Sequence, residues 1–366
     1  MVAEGVFDTL VGFSGFGFPK AHAAAFGLLA YQSAWLRHHY PAEFLCGLLN
    51  EQPMGFYPPA SLVRDAQRRG VEVRPPDVNL SEARCSLETR ARDAQGVVSA
   101  TSACVSTQAS SHAVRVGLAY VSSVGKDDAE ALEAERGANG SFGDVGDLAR
   151  RAQVSREALE ALARGGACDC FGARRRDLLW ELGLATRPRS VEGTRGEAKQ
   201  LPLPLDPTAE TPALRDLTRW ERMLADYRET GLSVGTHPLA LLRPHLPSGT
   251  LSSPELLEAR HGSTVAFAGM AIARQRPATA KGIVFMLLED EHGQVNLIVP
   301  KDVYERHRGI VRSEPIVLVH GRYERIERNR NILVRELESL SALARRVAAT
   351  PDLVTALPRA HHFGHR

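Results

Sequence analysis

The chain has 366 residues, 43% apolar and 24% charged, enough to bury cores in two or three domains of ordinary size. Lys and Arg total 45 against 43 Asp and Glu, so the net charge of +2 excludes a simple polycation and leaves local basic faces open. No apolar run approaches the ~20 residues that cross a bilayer, and Met1 to Leu10 lacks a basic segment leading into an apolar one. The sequence therefore reads as cytoplasmic, with no membrane partner.

In chain order, Ala21 to His38 is rich in Ala and Leu, and its apolar residues step at three and four, which predicts a helix stopped by Pro41. Ala42 to Asn50 resumes as a second helix, and residues 60–69 form a short basic helix capped by Gly70 in the left-handed conformation. Val71 to Val73 read as a brief strand before Pro75-Pro76. Residues 90–113, rich in Ser, Thr and Ala, read as a variable hairpin or loop. Val114, Val116 and Leu118 alternate as a strand, and helices are predicted over 127–136, 144–152 and 155–164. Residues 186–213, with Pro188, Pro202, Pro204, Pro207 and Pro212, read as a linker, and 214–230 return to helix. From about 257 the pattern is strand. Runs at 264–271, 283–288 and 295–299 precede a helix at 301–308 and further runs at 316–323 and 332–337, the order of a small OB-fold barrel. The fold class is thus multi-domain α+β, a mostly helical N-terminal part followed by an all-β OB-fold barrel.

Several constellations point to nucleic acid. Lys20 and His22 stand in the first turn of the first predicted helix, where free N–H groups favour an anion; a plain solvated helix start is the other reading. Gly125 and Lys126, in Val121-Ser122-Ser123-Val124-Gly125-Lys126, suggest a helix-hairpin-helix turn that offers backbone N–H groups to DNA phosphates, although the usual pair of glycines is incomplete. Gly165 and Gly166 suggest a second such turn, and Arg174-Arg175-Arg176 a basic cluster beyond it, open to phosphate or a commonplace solvated run. In the linker, Gln200, Leu201, Leu203 and Leu205 form an extended apolar motif similar to peptides that grip a sliding clamp. Residues 260–340 carry 13 Lys or Arg against 10 Asp or Glu. Arg274, Arg276 and Lys281 flank the first barrel hairpin, Phe285 lies between, and Arg322, Tyr323 and Arg325 lie near another, a mixture of cations and aromatics that suits single strands.

Other chemistry is poorly supplied. Two-metal phosphoryl transfer needs paired carboxylates, and no strand-borne Asp-x-Asp is found. Asp127-Asp128 and Glu289-Asp290-Glu291 read as solvated charge in turns. Cys46, Cys85, Cys104, Cys168 and Cys170 read as reduced thiols, and Cys168 and Cys170 are too close in sequence for a zinc knuckle, so no metal site is expected. His361, His362 and His365 read as a frayed terminus.

Five ordered stretches resemble the C-terminal half of the C-family bacterial DNA polymerases, the polymerase III alpha subunits, and specifically their error-prone branch. They are Gly15 to Phe26, His39 to Phe44, Leu48-Leu49-Asn50-Glu51-Gln52-Pro53-Met54-Gly55-Phe56-Tyr57, Gly70 to Asn79, and Gly231-Leu232-Ser233-Val234-Gly235-Thr236-His237-Pro238-Leu239. The resemblance runs from about residue 5 to 342. It implies that 1–56 end a fingers domain whose Lys20 and His22 bind the incoming nucleotide. It implies a fingers or connecting segment with a polar insertion at 57–113, tandem helix-hairpin-helix elements gripping duplex DNA at 114–176, a linker and helical segment at 177–256, an OB-fold near the single-stranded template at 257–342, and a tail at 343–366. The family is a DNA-directed DNA polymerase, a nucleotidyltransferase whose error-prone members act in DNA repair by translesion synthesis with mutagenesis accessory proteins. Its PHP domain and its palm with the catalytic aspartates are absent here, so magnesium is expected only in that palm and Met1 is expected to open a truncated or split reading frame. Ala21 stands where the family usually has serine.

The leading expectation is a DNA-binding portion of an error-prone polymerase that is not catalytic alone and regains activity with a separate palm-bearing chain. The alternative is a stand-alone DNA-binding or clamp-adaptor module, and a third is an OB-fold RNA-binding protein. If the fingers remnant does not fold without its palm, exposed apolar surface is expected on Ala21 to Leu49.

Overall fold

The computed structural model describes residues 20–54, 57–89, 112–185, 214–326, 329–348, 357 and 361–363. Helix α1, Lys20–His39, follows the three-and-four apolar spacing, and Pro41 then opens α2, Pro41–Asn50, at a position where its missing N–H costs nothing. Helix α3, Pro59–Arg68, ends before Gly70, whose φ of +86° is the left-handed cap read from the sequence. A small mixed sheet places β3, His112–Arg115, between β1, Val73–Arg74, and β2, Ser86–Thr89.

The next unit holds α4, Lys126–Asn139, α5, Val145–Arg151, α6, Arg156–Arg164, and α7, Arg175–Ala185. Asp144 and Ser155 cap α5 and α6 by accepting backbone N–H groups three residues on. Leu132, Leu148, Leu159, Leu162, Leu178 and Leu182 fill a core of their own. Helix α7 begins at the arginine triplet read as a loose basic cluster.

Helix α8, Arg219–Thr230, starts with a Thr218–Glu221 capping box and ends at Gly231, and α9, Pro238–Leu242, and α10, Ser253–Glu258, lead into the barrel. After the short strand β4, Thr250–Leu251, the barrel strands are β5, Thr264–Gln275, β6, Val284–Glu289, β7, Gln294–Val299, β8, Ile316–Ile326, and β9, Asn329–Ser339, with two short helices before β8. The order β5-β6-β7-β9-β8 closes through antiparallel pairing of β8 with β5, and only β7 with β9 is parallel. This is the OB-like barrel expected from the strand order. Gly321 sits at a register shift in β8, where an added Cβ would lie 2.4 Å from the Leu333 carbonyl oxygen.

Strands β6 and β7 alternate buried and exposed residues, whereas β5 is buried almost throughout. Its Val265, Phe267 and Ala271 face the barrel interior, and Ala268, Met270 and Ile272 pack into a second core with Leu45, Leu49, Val63, Trp220 and Met223. The barrel and the N-terminal helices therefore share one buried layer. The tail adds to the fold, and the expectation of a frayed terminus is corrected at 361 and 362. Ser341–Ala348 is a helix whose Ala344 and Ala348 join that layer, and His361–Phe363 pairs parallel with β5, so the tail histidines at 361 and 362 lie on the sheet rather than in a frayed end.

Helix α1 differs from all of these. Every residue from Ala21 to Tyr40 is exposed, including Phe26 (58%), Leu29 (56%) and Tyr31 (68%). An Arg37–Asp65 ion pair at 2.6 Å ties its end to α3.

Candidate nucleic-acid interface

The first hairpin runs from Val121 to Gly125 into α4. Ser123 has φ +60°, so a serine holds the left-handed position where the expected second glycine is missing. Gly125 is the exposed N-cap of α4, its N–H donating to Asp128 at 3.2 Å, and Lys126 is exposed with Glu130 3.6 Å away. The turn thus presents backbone and one cation. The rest of α4 is acidic, with Asp127, Asp128, Glu130, Glu133 and Glu135, so any phosphate must meet the turn and not the helix flank.

The second hairpin follows α6. Gly165 and Gly166 are both buried, and Gly166, at φ +87°, leaves room for Arg175: an added Cβ would lie 2.1 Å from its Nη2. Arg175 is itself 5% exposed and donates to Asp169, to Asp226 at 2.7 Å and to the Arg164 carbonyl at 3.0 Å. Burial lowers its pKa, and the two carboxylates overcome that and hold the guanidinium firmly charged. The glycine pair therefore serves internal packing, and the triplet is not a solvated run: Arg174 bonds Asp177 and Arg176 bonds Glu221.

In the barrel, Arg276, Lys281 and Phe285 cluster at the β5–β6 connection. Phe285 is 39% exposed and paired with Gln275, Lys281 is exposed at φ +50°, and the Arg276 guanidinium lies 4.7 Å over the Tyr304 ring. Arg322 and Arg325 lie at the far end of β5, since Arg322 pairs with Thr264. The two groups are separated by roughly 35 Å of strand at about 3.3 Å per residue. Arg322 also bonds Glu324 at 2.5 Å. Two of the residues read as strand-binding are interior. Arg274 is 5% exposed, donates to the Glu314 carbonyl, and burial lowers its pKa to about 10. Tyr323 is 1% exposed, so its ring cannot stack on a base.

The acidic turn at 289–291 is also corrected. Glu289 and Asp290 are 0% and 1% exposed. Glu289 accepts from Arg68 at 2.7 Å and Arg64 at 3.4 Å, bridging α3 to the barrel, while Asp290 accepts from the Ser253 N–H and hydroxyl and from the N–H groups of His292 and Gly293. Glu289 was read as solvated because its arginine partners lie more than 200 residues away in sequence, and Asp290 and Glu291 because Arg243 lies 47 and 48 residues before them. No local signal connects them.

The Lys20 backbone opens α1, and the exposed His22 ring meets Phe26 with centroids 4.3 Å apart. Gln200, Leu201, Leu203 and Leu205 lie outside the described residues, as does the Gly15–Pro19 stretch. Cys46, Cys85 and Cys168 are buried, and burial pushes the Cys85 thiol up to about 12. Among the described residues no group of three or more His, Cys, Asp or Glu is placed to hold a metal ion. No described helix is long and apolar enough to cross a membrane.

A family model described as a helix-hairpin-helix motif matches residues 70–178, which covers both hairpins and the small sheet that leads into them. The chain thus carries a helix-hairpin-helix motif in its helical part, joined to an OB-like barrel. It is 42% identical over 340 residues to an error-prone DNA polymerase of Anaeromyxobacter sp. (strain K), 41% identical over 342 residues to one of Burkholderia pseudomallei, and 37% identical over 343 residues to one of Pseudomonas syringae pv. syringae. Each match covers 93% of this chain and only 28%, 30% and 31% of those relatives. The chain is therefore a homologue of error-prone DNA polymerases, corresponding to under a third of their length.

Proposed function

We propose that this chain is the DNA-holding, C-terminal part of an error-prone DNA polymerase, acting in translesion synthesis and performing no nucleotide addition alone. The observation that carries the reading is the combination of homology along 93% of the chain with a helix-hairpin-helix match over 70–178. In this reading the Ser123–Lys126 turn offers the N–H groups of Ser123 and Lys126 and one cation to duplex phosphates, those of Val124 and Gly125 being bonded within the turn, a contact that positions without reading sequence. The Arg276, Lys281 and Phe285 patch receives the single-stranded template. Lys20 and His22 belong to the incoming-nucleotide site, completed by a palm that supplies the metal-binding carboxylates. The exposed apolar residues of α1 suit burial against such a palm, in the same polypeptide or another chain. A sliding clamp, through Gln200 to Leu205, and mutagenesis accessory proteins complete the expected partners in the cytoplasm.

Primer extension tests the reading. The chain alone, on primed DNA with magnesium and four nucleotides, should add nothing while binding that DNA in a salt-sensitive way. Incorporation that scales with this chain would refute it. A stand-alone DNA-binding module predicts the same binding with no gain of synthesis when a palm-bearing chain is added, whereas the proposed function predicts restored synthesis.

A further inference from the structure

A cleft of ≈ 740 Å³ separates α3 from the barrel, and its lining includes Arg64, Arg68, Arg219, His237, Tyr323 and Arg330. It lies against the Gly231–Leu239 stretch, which has no role in the reading above. Its volume is in the range that holds small ligands, about 300–1,000 Å³. Among the described residues Glu291 is the only carboxylate on the lining, against four arginines, and it is already bound by Arg243 at 2.7 Å. Arg64 and Arg68 share the carboxylate of Glu289; Asp65 stands 4.0 Å from Arg68 but is held more closely by Arg37 and Arg69, and Arg219 and Arg330 are exposed without an ion pair among the described residues. The cleft therefore carries uncompensated positive charge.

Three lining residues also hold buried polar atoms with no hydrogen-bond partner: Arg64 Nη2, His237 Nε2 and Tyr323 Oη. Each can be a donor. The His237 Nδ1 accepts the Leu239 N–H at 3.1 Å, which leaves the proton of a neutral ring on Nε2. Burial, and then the charges of Arg64, Arg68 and Arg243, hold that ring neutral. Buried donors are ordinarily paired, and three unpaired ones in the wall of one cationic cleft call for an acceptor from outside. A cation is repelled there, and an apolar ligand would leave the donors unmet. An oxyanion with several acceptor oxygens meets both the charge and the donors.

We propose that this cleft binds a phosphate-bearing ligand of nucleotide size, with Arg219 and Arg330 drawing it in and Arg64, His237 and Tyr323 supplying inner donors. The phosphate belongs either to a free nucleotide or to a nucleic-acid strand. The proposal does not rest on the helix-hairpin-helix reading, because none of these residues lies in either hairpin.

The experiment is calorimetric titration of the full chain with inorganic pyrophosphate, then with a nucleoside triphosphate and a short single-stranded oligonucleotide, with duplex binding measured in parallel. Pyrophosphate and at least one nucleotide ligand should saturate. Arg219→Gln and Arg330→Gln, at exposed positions, should each weaken binding about tenfold or more. Tyr323→Phe should weaken it also, while leaving the melting of the free chain unchanged or raised. Duplex affinity through the first hairpin should survive all three. Competition of pyrophosphate with the triphosphate alone assigns a free nucleotide, and competition with the oligonucleotide assigns strand phosphate. Absence of saturation by any of the three up to about 1 mM, or affinity unchanged in all three variants, overturns the proposal.

Discussion

The bridge between α3 and the barrel gives the most direct test of how this chain holds together. Among the described residues Glu289 is the one carboxylate paired with Arg64, and it also holds Arg68, which has Asp65 at 4.0 Å as well; the side-chain exposures of Glu289, Arg64 and Arg68 are 0%, 8% and 24%. Burial lowers the Arg64 pKa, partly offset by Glu289, so the carboxylate is what makes a charged guanidinium tolerable there. Glu289→Gln keeps the shape and removes the charge. Arg68 can turn toward solvent, but Arg64 is left as an unpaired buried cation, and breaking one side of such a pair costs about 3–5 kcal/mol. With a urea dependence of about 1–3 kcal/mol per molar, the midpoint of unfolding should fall by about 1 M or more. Trp220, 7% exposed in the layer shared by helices and barrel, reports the transition by fluorescence. The double variant Arg64→Met with Glu289→Met should recover most of the loss, because exchanging a whole buried pair for apolar groups is often neutral. A single Glu289→Gln variant that unfolds at the parent midpoint would refute the reasoning.

Gly166→Ala should destabilise by at least about 2 kcal/mol, combining the left-handed penalty with displacement of the buried Arg175 guanidinium; a thermal melt checks it, and an unchanged midpoint would show that Arg175 is not held as described. Ser123→Gly should be neutral or stabilising by up to about 1 kcal/mol, since it relieves a left-handed serine, and should leave duplex affinity intact in an anisotropy titration. Phe285→Ala should weaken single-strand binding by about 1–3 kcal/mol, the worth of one stacked base, whereas Tyr323→Phe should not alter any stacking contribution. For pH, burial pushes the Glu88 carboxyl up, but hydrogen bonds from Arg115 and Arg74 outweigh it and hold it below the usual carboxylate range. A depressed carboxylate contributes stability above its unfolded pKa of about 4.3 that is lost as pH falls through the folded value. Acid unfolding below about pH 4 should therefore be shallower in Glu88→Gln than in the parent.

What could be read in the sequence were the features set by neighbours along the chain. Pro41 and Gly70 stop helices by local backbone geometry, and the barrel was legible because β6 and β7 expose one face and alternate. Strand β5 was also found, yet its near-continuous burial does not say which neighbour covers its outer face. The N-terminal helices do so through Ala268, Met270 and Ile272, a contact with no periodic signature. Helix α7 was passed over because Arg174 to Arg176 look like solvated charge until Asp169, Asp226 and Glu221 are brought to them by the fold.

The same argument sorts the candidate interface. A charge or an aromatic ring in sequence has no address: Arg274 and Tyr323 differ little in type from Arg276 and Phe285, but the first two are buried within β5 and β8, whereas Arg276 stands just past the end of β5 and Phe285 is exposed. The cleft beside α3 reverses the case. Arg64, Arg68, His237 and Arg330 come from separate stretches with no common pattern, and only the Gly231–Leu239 stretch stood out beforehand, without chemistry attached. Its His237 shows why that stretch carries chemistry. One nitrogen is used to seat the start of α9, and the other is kept protonated and unpartnered in the wall of a cationic cleft. A histidine fixed only for packing would be expected to have both nitrogens satisfied. The unmet donor is the physical reason to look for an anionic ligand there before treating the stretch as a structural turn.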